Sequence, residues 1–259
     1  MNPTNPHSIA SSIASERYPA TFFEKIADGS NVSAEVVVPL LTRMLAPSSV
    51  VDVGCGTGLW LAAFQRNGVP DILGIDGDYV PRDQLAISPQ QFMSHDLTKP
   101  LSLPKKFDLA TCFEVAEHLP FERSRNLVET LCRLAPVVAF SAAIPAQSGA
   151  SHINEQWPSF WQEHFEAMQF RCFDVIRPEI WTDARIESWY RQNMYLFVHK
   201  DEQAVISRLG SLKAPGDDTM TLISTAVFKT MLPGSRTARW YLRQFLSAAA
   251  RGIKRRLKW

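Results

Sequence analysis

The sequence predicts an α/β protein with a doubly wound, mostly parallel sheet of seven strands and helices on both faces. Short apolar, β-branched runs alternate with amphipathic stretches through the body of the chain, and the first of these runs opens into a glycine-rich turn. Size agrees: 259 residues, 46% hydrophobic and 20% charged, are enough for one such core and a small appendage.

Residues 1–32 are rich in Ser, Asn and Pro and read as an N-terminal arm, partly flexible; its Tyr18, Phe22 and Phe23 either fold over a ligand or belong to a partly disordered segment. A helical segment follows from Ser33 to Leu45 and closes at Pro47. The expected strands are Val50–Val53, Ile72–Ile75, Phe92–His95, Phe107–Phe113, Val137–Ile144, Phe170–Ile176 and Tyr190–Val198. Amphipathic helices are expected near Leu59–Asn67, Phe121–Leu134 and Glu155–Met168. The character changes after His199, so the body is assigned to 33–200. Residues 201–235 read as linker and short helices, with Gly210–Thr219 the linker proper.

Composition removes several function classes. No apolar run approaches the roughly 20 residues of a membrane span, and Met1–Ala14 lacks the basic start and apolar stretch of a secretory signal. The expected location is cytoplasmic. Cys55, Cys112, Cys132 and Cys172 sit in apolar segments at spacings that suit neither zinc nor a disulfide framework. The net charge of +1 hides an asymmetry, because residues 236–259 carry eight Lys and Arg and no acid. The remainder holds 19 basic against 26 acidic residues, a poor generic surface for nucleic acid.

From Thr237 to Trp259, Leu242, Phe245, Leu246, Ala249, Ile253 and Leu257 recur at helical spacing, with Arg239, Arg243, Lys254, Arg255 and Lys258 elsewhere on the wheel. This basic amphipathic tail fits peripheral attachment to an anionic membrane at its inner face, a partner groove, or docking on its own domain.

The strongest motif is Val50-Val51-Asp52-Val53-Gly54-Cys55-Gly56-Thr57-Gly58, a buried strand entering a turn that opens a helix. A dinucleotide-binding loop would place its third glycine one position later, where Leu59 stands. Asp76, in Leu73-Gly74-Ile75-Asp76-Gly77, lies 22 residues beyond Gly54, near the offset of about 20 at which a carboxylate grips ribose hydroxyls. The Gly-x-Gly-x-Gly string with Asp52 resembles motif I of the class I S-adenosylmethionine (SAM)-dependent methyltransferases, which have a Rossmann-like fold.

The resemblance extends over roughly Ser33–His199 and implies SAM as cofactor. It assigns Asp52, Gly54, Cys55, Gly56 and Gly58 to the methionine side, Asp76 and Gly77 to the ribose, Asp96 and Leu97 to the adenine, and Phe113 to the end of the fourth strand. The strings Ser151–Trp157 and Trp189–Asn193 resemble bacterial methyltransferases associated with polysaccharide or secondary-metabolite genes, which implies a small-molecule or glycan hydroxyl as acceptor.

On the acceptor side, Glu114, Glu117 and His118 have i, i+3, i+4 spacing, which a helical turn would gather on one face. With His152 they resemble the Glu-x-x-Glu-His and distant His that hold a divalent ion in small-RNA 3′-end 2′-O-methyltransferases, and a related string occurs in ubiquinone-pathway O-methyltransferases. Such an ion would polarise an acceptor hydroxyl. The same string occurs in family members without metal, so His152, aided by His118, as a metal-free general base stands beside it. Trp157, Phe160, Trp161, Trp181, Trp189 and Tyr190 supply aromatic walls or core, and Arg191, Gln192 and Asn193 either orient an acceptor or face solvent. An RNA 2′-O-methyltransferase and a SAM-binding scaffold without catalysis remain the alternatives.

Overall fold

The computed structural model describes residues 20–210 and 220–232, with side chains from Asp28 onward. The tail at 236–259, the linker at 211–219 and the aromatic cluster of Tyr18, Phe22 and Phe23 lie outside the described residues or side chains.

Seven strands form one sheet in the order β3-β2-β1-β4-β5-β7-β6: β1 (Ser49–Val53), β2 (Asp71–Asp76), β3 (Phe92–Ser94), β4 (Leu109–Phe113), β5 (Val137–Ser141), β6 (Phe170–Phe173) and β7 (Tyr195–His199). β1 pairs in parallel with β2 and β4, and β4 with β5; β7 is antiparallel to both β5 and β6. The order reverses between β1 and β4, so a crevice opens at their carboxyl ends, where ligands bind in open α/β sheets.

Every residue of β1, β4 and β5 is buried, as expected of strands covered on both faces. Alternation along each strand divides the core. Val50, Leu109, Ala139 and Leu196 face one cluster with Val37, Leu41, Leu61 and Phe64, from α1 (Ala20–Leu45) and α2 (Leu59–Arg66). Val51, Ala110, Val138 and Phe197 face the other with Leu127, Leu131, Trp161 and Phe165, from α3 (Ser124–Leu134) and α4 (Pro158–Ala167). Burial of this kind contributes roughly 1.5–3 kcal/mol per large side chain.

The structure departs from the sequence expectations at several element ends. The first helix begins at Ala20 rather than Ser33 and runs through Gly29 and Pro39. β5 ends at Ser141, three residues short of Ile144, because Ala142–Ile144 turn into the loop that carries Gln147, His152 and Glu155. Tyr190–Asn193, expected as strand, belong to α6 (Ser188–Asn193), which follows the one-turn α5 (Arg177–Ile180); the apolar run alone did not separate a buried helix from a strand.

Beyond β7, α7 (Gln203–Arg208) brings Leu209 into the first cluster. Met220 is buried in the second, and the Gln192 side chain donates to the Leu222 carbonyl at 2.5 Å. Packing of the main unit thus continues to Leu222. The second unit contributes α8 (Thr225–Met231), whose first turn is capped by Ser224 Oγ accepting from Val227 N at 3.2 Å. Among the described residues no helix is long and apolar enough to cross a membrane.

Candidate active site

The turn after β1 is built for close backbone approach. Gly54, at φ 83°, donates its N–H to the Ile75 carbonyl at 2.7 Å, locking the β1 tip to β2. A Cβ at Gly54 would stand 2.3 Å from Val115 Cγ2, so even alanine would clash there besides being strained. Gly56 and Gly58 are also left-handed, at φ 52° and 83°. Cys55 is buried, its thiol donates to the Gly56 carbonyl at 3.4 Å, and burial pushes that thiol well above its ordinary range.

Asp76 ends β2 with only 5% of its surface exposed. Its Oδ2 accepts from Gly56 N at 2.7 Å, and its Oδ1 from Gly77 N at 2.6 Å and the Tyr79 hydroxyl at 2.7 Å. Burial raises its pKa, while the Tyr79 and backbone donors pull it back. A hydroxyl already donating to this oriented carboxylate is the chemistry a ribose would present, so the site fits an adenosyl ligand. Tyr79 escaped the sequence reading; its signal is an aromatic three residues after the β2 acid.

Asp52 accepts from Thr111 Oγ1 at 2.7 Å and is 2% exposed. Burial pushes its carboxyl up to about 7, the Thr111 bond opposes this, and the Asp76 charge adds to it. Phe113 packs against Trp60 and Tyr190 at ring-centroid distances of 4.6 and 6.5 Å, and the Tyr190 and Ser30 hydroxyls bond at 3.1 Å. These aromatics join the β4 tip, the start of α2 and α1. Asp96 sits in an exposed turn after β3, where its Oδ1 accepts from Thr98 N at 3.0 Å and Thr98 Oγ1 at 2.6 Å. Leu97 packs, partly buried, on the second core cluster.

Across the crevice, β4 is followed by Glu114, a non-glycine residue at φ 55°. Its carboxylate accepts from Asn193 Nδ2 at 3.1 Å and Gln147 Nε2 at 3.1 Å, and Asn193 Nδ2 also donates to Gln147 Oε1 at 2.9 Å. Gln147 is a further residue that sequence reasoning missed; Asn193, left open there, is 2% exposed and faces this group rather than solvent.

Only Ala116–His118 form a helical turn, and it is a 3-10 turn. Glu114 lies before it in the left-handed region, so the expected single face of three side chains does not form. Glu117, His118 and His152 do converge, offering ligand atoms within 4.8 Å of one another. Glu114 lies outside that group; its oxygens accept from Asn193 and Gln147, and its carboxyl also interacts electrostatically with the Glu117 carboxyl and the His152 imidazole. His152 is brought in by main-chain bonds from Ile153 N and Asn154 N to the Glu117 carbonyl at 2.9 and 3.1 Å. The two imidazoles pack edge to face with centroids 4.9 Å apart.

Glu117 is fully buried, and among the described residues neither carboxylate oxygen completes a hydrogen bond. Burial, then repulsion from Glu114, holds its carboxyl well above the usual range. A buried acid without a completed hydrogen bond is costly, and native structures keep few of them. Of the aromatics, Trp161 and Tyr190 are core; Trp157 is exposed, and Phe160 packs on the exposed Phe121 at 5.5 Å.

The family described as methyltransferase domain matches residues 28–179. The ubiquinone biosynthesis O-methyltransferase of Methylococcus capsulatus is 32% identical over 122 residues, 42% of this chain and 50% of that protein. The protein of the same name from Pseudomonas syringae pv. tomato is 32% identical over 85 residues, 29% of this chain and 35% of that one. The chain therefore spans half or less of the length of these curated relatives. Among solved structures, the SAM-bound magnesium protoporphyrin IX methyltransferase of Synechocystis has a TM-score of 0.53 at 16% identity, covering 77% of this chain and 100% of that one. The sugar N-methyltransferase of Streptoalloteichus has a TM-score of 0.50 at 14% identity, covering 65% and 87%. Identities this low speak for the fold alone. With a family match over more than half of its length, on a sheet whose switch point carries the glycine turn and a buried carboxylate at the β2 tip, this chain belongs to the class I SAM-dependent methyltransferase family.

Proposed function

We propose that this protein methylates a hydroxyl of a small-molecule or glycan acceptor, with the tips of β1 and β2 holding SAM and the loops after β4 and β5 receiving the acceptor. SAM, when bound, supplies a methyl group activated by its sulfonium. Asp76 and Gly77 would hold the ribose, the Gly54–Gly58 turn and Asp52 the methionine end, and Asp96 and Leu97 the adenine edge. The acceptor side must orient the hydroxyl, exclude water and take one proton.

The observation that carries the reading is the pairing of His118 and His152 beyond the β4 tip, beside a buried acid. His152 takes the proton from the acceptor oxygen, and His118 packs against it. Glu114, Gln147 and Asn193 form the polar wall behind them. Incubation with methyl-labelled SAM and a panel of phenols and sugars tests this: label on oxygen supports it, and label only on amines, or none alongside SAM binding, overturns it.

A second reading is favoured by the convergence of Glu117, His118 and His152 within 4.8 Å. These three would hold a divalent ion through one carboxylate and two imidazole ligands, leaving open positions for an acceptor hydroxyl. Metal analysis of the purified protein separates the readings: a stoichiometric ion lost in Glu117→Gln supports the second, and an ion-free, chelator-insensitive enzyme removes it. The basic segment 236–259 is proposed to attach the protein reversibly to anionic bilayers. Flotation with acidic vesicles tests this, and a bound fraction unchanged by truncation after Ser235 overturns it.

A further inference from the structure

We propose that Glu155 is the positioning residue of His152, fixing its imidazole as the Nδ1–H tautomer so that Nε2 is the atom offered for chemistry. The inference rests on the role of His152 in the proposed reaction, and three features of the loop between β5 and α4 carry it.

The Glu155 carboxylate is shared between the imidazole and the main chain. Oε1 lies 2.9 Å from His152 Nδ1 and accepts from Ser148 N at 2.6 Å, while Oε2 accepts from Ala146 N at 2.9 Å. An ionised carboxylate only accepts, so its contact with the ring places the proton on Nδ1. The His152 and Glu155 side chains are 13% and 19% exposed, so water is largely kept from this pair.

The loop is also held in a conformation its sequence does not prefer. Ala146, Ser148 and Ser151 are all left-handed, at φ 69°, 59° and 65°, although none is glycine. Such residues persist when their surroundings over-determine them. Here two of the three have their amides tied to Glu155, and that same carboxylate holds the imidazole between them and the turn at Glu117.

Gly149 supplies the remaining constraint. A Cβ there would lie 2.1, 2.3 and 2.6 Å from His152 Nε2, Cε1 and Cδ2. Distances so nearly equal put it over the face of the ring, not in line with the Nε2 lone pair. The imidazole therefore lies flat on the Gly149 backbone with its Nε2 edge unobstructed by that residue. Glu155 sets the tautomer, and Gly149 sets the tilt.

The test uses the full chain, metal-stripped and labelled with 15N-histidine, in alkaline buffer where imidazole is neutral. Two-bond 1H–15N correlations should show His152, identified by its loss in His152→Gln, protonated on Nδ1. Glu155→Ala should return it to the commoner Nε2–H form. Wild-type His152 found as Nε2–H overturns the proposal, and that measurement needs no variant to fold. Gly149→Ala, which leaves Glu155 in place, should displace the ring and shift the same signals; unchanged signals would remove the tilt constraint.

Once an acceptor is known, Glu155→Ala should lower kcat about 10–100-fold, the usual effect of losing an orienting partner. SAM affinity should be unchanged, and no further loss should appear in a His152→Ala background. A full additional loss in that background would make Glu155 merely structural. An Nδ1–H tautomer in a protein whose His152→Ala variant turns over normally would sink the proposed reaction while leaving this pairing intact.

Discussion

The two sides of the crevice handle buried charge in opposite ways. At the β1 and β2 tips, Asp52 and Asp76 are buried but bonded, to Thr111 and to Gly56, Gly77 and Tyr79 respectively. At the β4 and β5 tips, Glu117 is buried with no completed hydrogen bond among the described residues, and Glu114, Ala146, Ser148 and Ser151 are all left-handed non-glycine residues. The first side is a preformed cradle. The second holds a buried acid whose pKa is pushed well up by burial, together with backbone strain of the kind that persists where the surroundings over-determine it. The β1 and β2 side is thus a property of one strand-turn unit, whereas the β4 and β5 side, where we propose the acceptor binds, is assembled at a cost in stability.

The largest expected effect tests whether the two sides are separable. His152→Ala should reduce kcat by about 100-fold or more, the range for losing a general base, with SAM affinity by calorimetry unchanged. A parallel loss of SAM affinity would break the division.

The next concerns the cradle and its pH dependence. Asp52 has a folded pKa of about 7 against an ordinary 3.8, so between these values the folded state keeps a proton that the unfolded state has lost. Stability should therefore fall as pH rises through that window and level off above it, by up to about 4 kcal/mol at 1.36 kcal/mol per unit. Thermal melts from acid to pH about 8 check this. Asp52→Asn should flatten the slope; a wild-type melting temperature that rises across the window would contradict it.

Asp76→Ala should weaken SAM binding more than tenfold, since hydrogen bonds to a charged group contribute about 1.5–3 kcal/mol. Titration calorimetry reads it directly. Retained affinity would shift the ribose grip elsewhere.

The smallest effect sharpens the contrast. Glu117→Gln removes the cost of keeping this buried carboxyl protonated above its ordinary range, and should raise stability at neutral pH by about 1 kcal/mol, or roughly 2–4 °C in Tm, in metal-free protein. Thermal melts with and without divalent ion give the measure. If the wild type is instead stabilised by the ion and the variant is not, the orphan carboxylate is an ion ligand.

Much of the cradle was legible in the sequence because it is local. A buried β-branched strand, glycines at fixed offsets and an acid at the next strand end need only their own turn to form, and these residues settle together at the β1 and β2 tips. Element ends were less legible, as at Tyr190–Asn193, where an apolar run without polar alternation fits a buried helix as well as a strand. The β4 and β5 side was legible only as a set of residue types. Glu114 meets Gln147 and Asn193 across 33 and 79 residues of sequence, and which of Glu114, Glu117, His118 and His152 converge depended on a left-handed residue at the end of β4. Short-range backbone preference and burial pattern were enough to specify the sheet class, the glycine turn and its carboxylates. Tertiary folding was needed to bring Glu155 against His152 and Asn193 behind Glu114. Those partnerships require the tips of β4, β5 and an antiparallel β7 to meet at one edge of the crevice, and no spacing along the chain encodes that meeting.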